Sequence, residues 1–299
     1  MPQIQWYPGH MAKTMRELKE KLNLCDCVLE VCDARIPSSS RNPFLQELLQ
    51  HKQKIVILNK GDLADPRVTE LWLSEYRKRE EPALAGDARS KSFADLIRRK
   101  ALELNRELLE RARARGRVTR PVRLLVVGIP NSGKSTLINT LCGKHSAQTS
   151  NRPGVTRSLS WLKAGTDLLL LDSPGVLWPK LESRHEQLAL GACAAIKDDI
   201  MPLQELASEL LYMLYRMYPE KILDLSGSAS SYLPEDPLAS GKYLLEQYGL
   251  QRKHISQGGE PDLERSARTC LKEFRSGEIG CLSLELPSDF IREEQLPDA

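Results

Sequence analysis

The 299 residues of this chain predict an α/β fold, a layer of alternating strands and helices followed by a smaller all-helical region. Three observations predict it. Short apolar runs rich in β-branched residues alternate with helical segments through the first part of the chain, as buried parallel strands and their crossovers require. One such run, Val122–Val127, leads straight into Gly128-Ile129-Pro130-Asn131-Ser132-Gly133-Lys134-Ser135, a complete G-x-x-x-x-G-K-S loop, with a helix after it. Past residue 180 the strand signal fades and helical segments take over. The expected units are 1–180, a helical unit over 181–285 and an acidic tail over 286–299.

The elements follow in order. Residues 27–32 and 54–58 read as buried strands, with helices over 43–51 and 67–80. A weaker strand over 82–85 precedes a long helix over 93–113, whose leucines include Leu96, Leu102 and Leu109. After the strand at 122–127 a helix begins near Lys134, and strands over 158–163 and 167–171 form a hairpin around Ala164-Gly165-Thr166. Helices over 185–197, 202–218, 237–248 and 263–274 complete the chain, joined by the connections 226–231 and 256–259.

Composition narrows the function. No run reaches the ~20 apolar residues of a spanning helix, and the opening residues carry neither a secretory nor a transit pattern. No membrane role and a cytoplasmic location are expected. Seven cysteines without a C-x-x-C pair lack zinc or redox spacing and read as buried thiols. Net charge is only +3, yet residues 98–123 hold ten arginines and lysines against three glutamates. That run is either a solvated helix face or a contact for phosphate backbone.

The motifs carry the chemistry. Gly128 and Gly133 permit the tight turn that points backbone N–H groups of Asn131, Ser132, Gly133, Lys134, Ser135 and Thr136 at phosphate oxygens. Lys134 reaches the β and γ phosphates, and the Ser135 hydroxyl completes a Mg²⁺ shell. Asn59-Lys60-Gly61-Asp62 matches the guanine-reading NKxD element. There the Asp62 carboxylate accepts two N–H groups of guanine, Asn59 steadies the loop and Lys60 lies along the base; sites of this kind reject the wrong base strongly. Asp172-Ser173-Pro174-Gly175 matches DxxG, with Asp172 on Mg²⁺ through water and the Gly175 N–H at the γ phosphate. Thr156 stands at the spacing of the switch residue that closes on Mg²⁺.

The order of these motifs is inverted. NKxD precedes the phosphate loop, which comes first in Ras-like chains, so the expected fold is a circularly permuted Ras-like P-loop GTPase domain followed by the helical one.

With that order, Trp6-Tyr7-Pro8-Gly9-His10-Met11 near the start, Asp33-Ala34-Arg35 through Arg41-Asn42-Pro43 after the first strand and Phe274-Arg275-Ser276-Gly277-Glu278-Ile279-Gly280 near the end, the chain resembles the RbgA/YlqF family of ribosome-biogenesis GTPases. The resemblance implies hydrolysis of GTP to GDP coupled to late assembly of the large ribosomal subunit. It implies rRNA and that subunit as partners, and a monomer off the ribosome. It places Asp87 and Ala88 in the loop on the base side, where the family usually has Ser-Ala or Asn-Ser. Val176 follows Gly175 where Ras-like enzymes carry a water-orienting glutamine, and the resemblance points to His10 as the water-positioning residue or general base. Asn131 resembles the asparagine of potassium-dependent relatives, which implies K⁺ as an activator beside Mg²⁺. Two rivals remain: an RNA-binding assembly factor that binds GTP with little catalysis, and a signalling GTPase acting on a protein effector.

Overall fold

The computed structural model describes residues 9–115, 120–143, 159–178, 181, 183–227 and 233–287, with only the backbone described at 9–12 and 112. Helix α1 (Gly9–Lys21) precedes β1 (Cys27–Asp33), α2 (Pro43–Leu49), β2 (Lys54–Asn59), α3 (Pro66–Lys78) and β3 (Ala83–Gly86). Next come α4 (Lys91–Leu104), α5 (Arg106–Ala114), β4 (Val122–Val127), α6 (Lys134–Cys142), β5 (Ser160–Ala164) and β6 (Leu168–Asp172). The helices α7 (Arg184–Ala192), α8 (Leu203–Met217), α9 (Pro219–Ser226), α10 (Pro237–Gln251) and α11 (Leu263–Ser276) follow.

The six strands form one sheet in the order β3-β2-β1-β4-β6-β5. All pairings are parallel except the β5–β6 hairpin at the edge. Side-chain alternation along β1 explains its two-sided burial. Cys27, Leu29 and Val31 pack with Phe93 and Ile97 of α4 and Leu137 and Ile138 of α6. On the opposite face Val28 joins Leu45 and Leu49 of α2, and Cys32 joins Val68, Trp72 and Tyr76 of α3. The cluster containing Val28 continues through Leu125 and Leu171 to Leu206, Leu210, Leu244, Tyr248 and Phe274. One face of the sheet and the C-terminal helices therefore share a core. No helix among the described residues is long and apolar enough to cross a membrane.

Local chemistry sets the helix ends. Asn42 and Asp65 accept from the N–H groups of Phe44 and Arg67, each with proline as the next residue. The long helix predicted over 93–113 divides at Asn105, a buried residue whose side-chain amide donates to the Ala101 carbonyl at 2.8 Å. The helix predicted over 185–197 stops earlier, at Ala192. Ala194 turns the chain at φ 58°, and the Arg275 guanidinium takes the carbonyls of Gly191 and Ala192, each at 2.9 Å.

Beyond α11 the chain runs back across the sheet domain. Leu282 and Leu284 N–H groups donate to the carbonyls of Leu63 and Arg35 at 3.1 and 2.9 Å. Ser283 accepts from the Asp65 N–H at 3.1 Å, and the Glu285 carbonyl accepts from the Trp72 indole at 3.0 Å. The buried Glu285 carboxylate accepts from the Ser38 and Ser39 N–H groups at 2.6 and 3.1 Å. A segment late in the sequence thus straps the loops that follow β1 and β2.

Candidate guanine-nucleotide site

The site lies along the C-terminal ends of β1, β2, β4 and β6, where parallel α/β sheets place their ligand loops. Asn59, at the end of β2, is buried and satisfied on both sides. Its amide donates to the Ser132 carbonyl at 2.7 Å, and its side-chain oxygen accepts from the Ala88 N–H at 2.8 Å. One side chain therefore holds the phosphate loop and the Asp87-Ala88 loop to the strand that carries NKxD. Gly133, with φ 92°, caps α6 at this junction. A Cβ there would run into the Asn59 amide.

On the base side, Lys60 adopts φ 59° and its ammonium donates to Asp33 at 2.8 Å, leaving its aliphatic stem as the part that can lie along a purine. The buried Asp33 also receives a fork from Arg35, at 2.9 Å from Nε and 2.8 Å from Nη2. Burial alone would push the Asp33 carboxyl up, but Arg35 and Lys60 outweigh it and hold it well below the usual carboxylate range. The Arg35 guanidinium donates onward to the Phe274 carbonyl at 3.0 Å and sits 4.8 Å from the Phe274 ring centroid. Next to it, the Gly61 N–H donates to the Gly86 carbonyl at 3.0 Å, stitching the Asp62 and Asp87 loops together.

On the phosphate side, Lys134 is buried at the start of α6 and donates to the Ile129 carbonyl at 2.6 Å. Desolvation lowers its ammonium to about 8, against the pull of Asp172. Desolvation likewise pushes the Asp172 carboxyl up to about 6, with Lys134 opposing. Asp172 Oδ1 and Ser132 Oγ are buried without a hydrogen-bond partner among the described residues. A buried carboxylate oxygen with no donor next to a phosphate loop is costly unless a cation or water meets it, so the donor set fits Mg²⁺ held by Ser135 and Asp172. Such an ion, which Asp172 and Ser135 would hold, would neutralise charge on the β and γ phosphates. Gly175 lies against the phosphate loop: a Cβ there would sit 2.7 Å from Pro130 Cα and 3.1 Å from Lys134 Nζ. Val176 is 1% exposed, with its N–H on the Gly128 carbonyl at 3.3 Å, so it is a packing residue. The Asn131 amide donates to the Ala194 carbonyl at 2.7 Å, joining the phosphate loop to the turn after α7.

The structure brings together Asn59, Lys60, Asp62, Asp87, Ala88, the phosphate loop from Asn131 to Thr136, Asp172 and Gly175. Thr156 lies outside the described residues. His10 falls in the first turn of α1, and its side chain also lies outside them. Sequence reasoning missed the Asp33–Arg35 pair as the anchor of Lys60. The Asp-x-Arg spacing was visible, but its fork depends on the turn after β1. Two cations of the basic run over 98–123 are spoken for within the protein: Arg98 binds Asp167 and Arg120 binds Asp26.

A permuted P-loop GTPase is the class that this strand order and loop arrangement define. The sequence profile described as "50S ribosome-binding GTPase" matches residues 123–224. Ribosome biogenesis GTPase A of Priestia megaterium is 43% identical over 96% of this chain and 98% of its own. Mitochondrial ribosome-associated GTPase 1 of mouse is 33% identical over 94% of this chain and 90% of its own. The crystal structure of GNP-bound YlqF from Thermotoga maritima superposes with a TM-score of 0.61 at 25% identity, covering 92% of this chain and 99% of that one. The chain belongs to the ribosome biogenesis GTPase A (RbgA/YlqF) family.

Proposed function

We propose that this protein hydrolyses GTP to GDP and phosphate in the cytoplasm, with Mg²⁺, during late assembly of the large ribosomal subunit. The observation that carries the nucleotide reading is the Asn59 bridge, which puts the base-reading and phosphate-holding loops on one scaffold. Asp62 reads the guanine edge, the Asn131–Thr136 backbone and Lys134 hold phosphates, and Thr156 closes on the metal. Because Val176 is packed in the core, the attacking water needs another orienting group, and His10 is assigned that role. Asn131 is assigned a K⁺ ion as activator, beside the bond its amide donates to the Ala194 carbonyl.

The names borne by the relatives support the ribosomal part of the reading. The expected division, a GTPase unit over 1–180 and a helical unit over 181–285, gives the second unit the task of gripping rRNA. On α11 the exposed Arg265, Lys272 and Arg268, the last paired with Glu264 at 2.7 Å, fall on one face by their spacing, opposite buried Ala267, Cys270, Leu271 and Phe274. The contacts of Asn131 with Ala194 and of Gly175 with Pro130 connect γ-phosphate state to α7, and so to subunit affinity. The protein acts as a monomer off the ribosome. Sedimentation with large subunits in GDP and in a non-hydrolysable GTP analogue, across salt, tests partner and coupling together. Equal binding in both nucleotides sinks the coupling, and absence of any subunit-stimulated, K⁺-dependent hydrolysis sinks the enzymatic role.

A further inference from the structure

Asp87 poses an electrostatic problem at the base-reading site. Two acceptor-only carboxylates, Asp62 and Asp87, lie on loops whose backbones are stitched through Gly61 and Gly86. Neither carboxylate can donate to the other. Like charges this close repel, and the carboxylate that must face the base would swing toward solvent.

Arg89 fills the gap. Its Nη2 donates to Asp62 Oδ2 at 2.7 Å, while its Nε donates to Asp87 Oδ1 and Oδ2 at 3.0 and 2.9 Å. The Arg89 backbone N–H also donates to Asp87 Oδ1 at 2.8 Å, so the carboxylate and guanidinium are held in one local turn. Burial pushes the Asp87 carboxyl up, and the bonds from Arg89 more than offset this and hold it below its usual range. Asp87 itself is followed by Ala88, whose N–H is taken by Asn59, so the turn that presents Arg89 is anchored to the phosphate loop as well.

We propose that Arg89 is the positioning residue for guanine recognition in this protein: by bridging Asp62 and Asp87 it fixes the plane of the Asp62 carboxylate against the base. The inference rests on Asp62 reading guanine. A carboxylate oxygen has two lone pairs, so Oδ2 accepts from Arg89 and still accepts from a purine N–H. The bridge does the work that a hydroxyl donor would do at position 87, and Asp87 together with Arg89 forms one unit in place of such a residue. Arg89 touches no reacting atom and acts through Asp62 alone.

The test is equilibrium binding of GDP, IDP and ADP to the full chain, because IDP lacks only the 2-amino group that the second Asp62 oxygen would read. Arg89→Ala is expected to weaken GDP about tenfold and to shrink the preference for GDP over IDP by a similar factor. ADP binding stays unchanged. Adding Asp87→Ser to Arg89→Ala removes the repelling carboxylate and supplies a hydroxyl donor, and it is expected to restore the GDP over IDP ratio. Asp62→Ala serves as the control for the underlying reading. If Asp62→Ala abolishes the guanine preference while Arg89→Ala leaves the ratio intact, or lowers GDP and IDP equally without rescue by Asp87→Ser, Arg89 has no positioning role. If Asp62→Ala itself leaves the guanine preference in place, the assignment of the base-reading loop is wrong and the inference goes with it.

Discussion

Asn59 donates its side-chain amide to the carbonyl of Ser132, 73 positions further along the chain, at 2.7 Å. The same side chain accepts from Ala88 at 2.8 Å. The NKxD loop lies ahead of the phosphate loop in sequence, and this contact joins the two in space.

Replacing Asn59 by alanine leaves the Ser132 carbonyl and the Ala88 N–H without their buried partner, a cost of about 2 kcal/mol. Because those groups belong to the loops proposed to hold the ligand, GDP affinity is expected to drop about thirtyfold. Isothermal titration checks this. A variant that binds GDP like the parent would show that the bridge does not organise the site.

Nucleotide affinity is expected to be bell-shaped in pH. Below about 6 the Asp172 carboxyl holds its proton, and above about 8 Lys134 loses its own. Mg²⁺-GDP binding therefore peaks between these limits, and Asp172→Asn removes the acid limb. The stability of the nucleotide-free protein carries the opposite signature. The raised Asp172 pKa gives stability that is present below its unfolded value and lost as pH rises toward about 6. The depressed Lys134 pKa gives stability that is present above its unfolded value and lost as pH falls through about 8. Affinity and melting temperature measured across pH 4 to 10 (approximate span) should diverge in this way, and a flat affinity profile would contradict the assignment of both groups.

Arg35→Ala strips the fork from a carboxylate that is 1% exposed and removes the anchor on Phe274. Breaking a buried pair in this way costs about 3 kcal/mol. Arg35→Lys should recover little of it, since an ammonium cannot reproduce the two-point contact. Urea unfolding measures the loss, and limited proteolysis should show earlier cleavage of the segment after α11.

Gly133→Ala is expected to abolish nucleotide binding, because its φ of 92° strains any L side chain and its Cβ meets Asn59. Gly143 offers the comparison: φ is 67° and a Cβ there meets nothing within 4 Å. Gly143→Ala should cost only about 1 kcal/mol of backbone strain and leave affinity alone. Equal effects at the two positions would show that the collision with Asn59 does not matter.

The sheet and the positions of the G-x-x-x-x-G-K-S and NKxD loops at its strand ends were legible because each rests on local signals: apolar strands ending in glycine, asparagine or aspartate, followed by helices. The hairpin of β5 and β6 and the helices α8, α10 and α11 were legible for the same reason. Helix α9 was not anticipated, since it follows α8 with only Tyr218 between them and periodicity alone does not reveal that corner. Nor was α1 anticipated. The break at Asn105 depends on one side chain turning back onto its own helix. The anchoring of Lys60 by Asp33, the bridge from Arg89 to Asp62 and the return of Glu285 to Ser38 are long-range or turn-dependent contacts, and nothing in their spacing announces them. The basic stretch over 98–123 read as an undivided surface feature, whereas in three dimensions Arg98 is spent on Asp167 and the carbonyls of Ala164 and Leu141.

The strap over the loops after β1 and β2 imposes a schedule on translation. The half of the fold that carries the NKxD loop is synthesised first, and the edge of β1 stays open until β4 emerges to pair with it. Leu282, Leu284 and Glu285 are polymerised later still, and they add stitches to Leu63, Arg35 and Ser38. The loops that carry Arg35, Ser38 and Leu63 therefore acquire these hydrogen bonds only once residues 282–285 have been made.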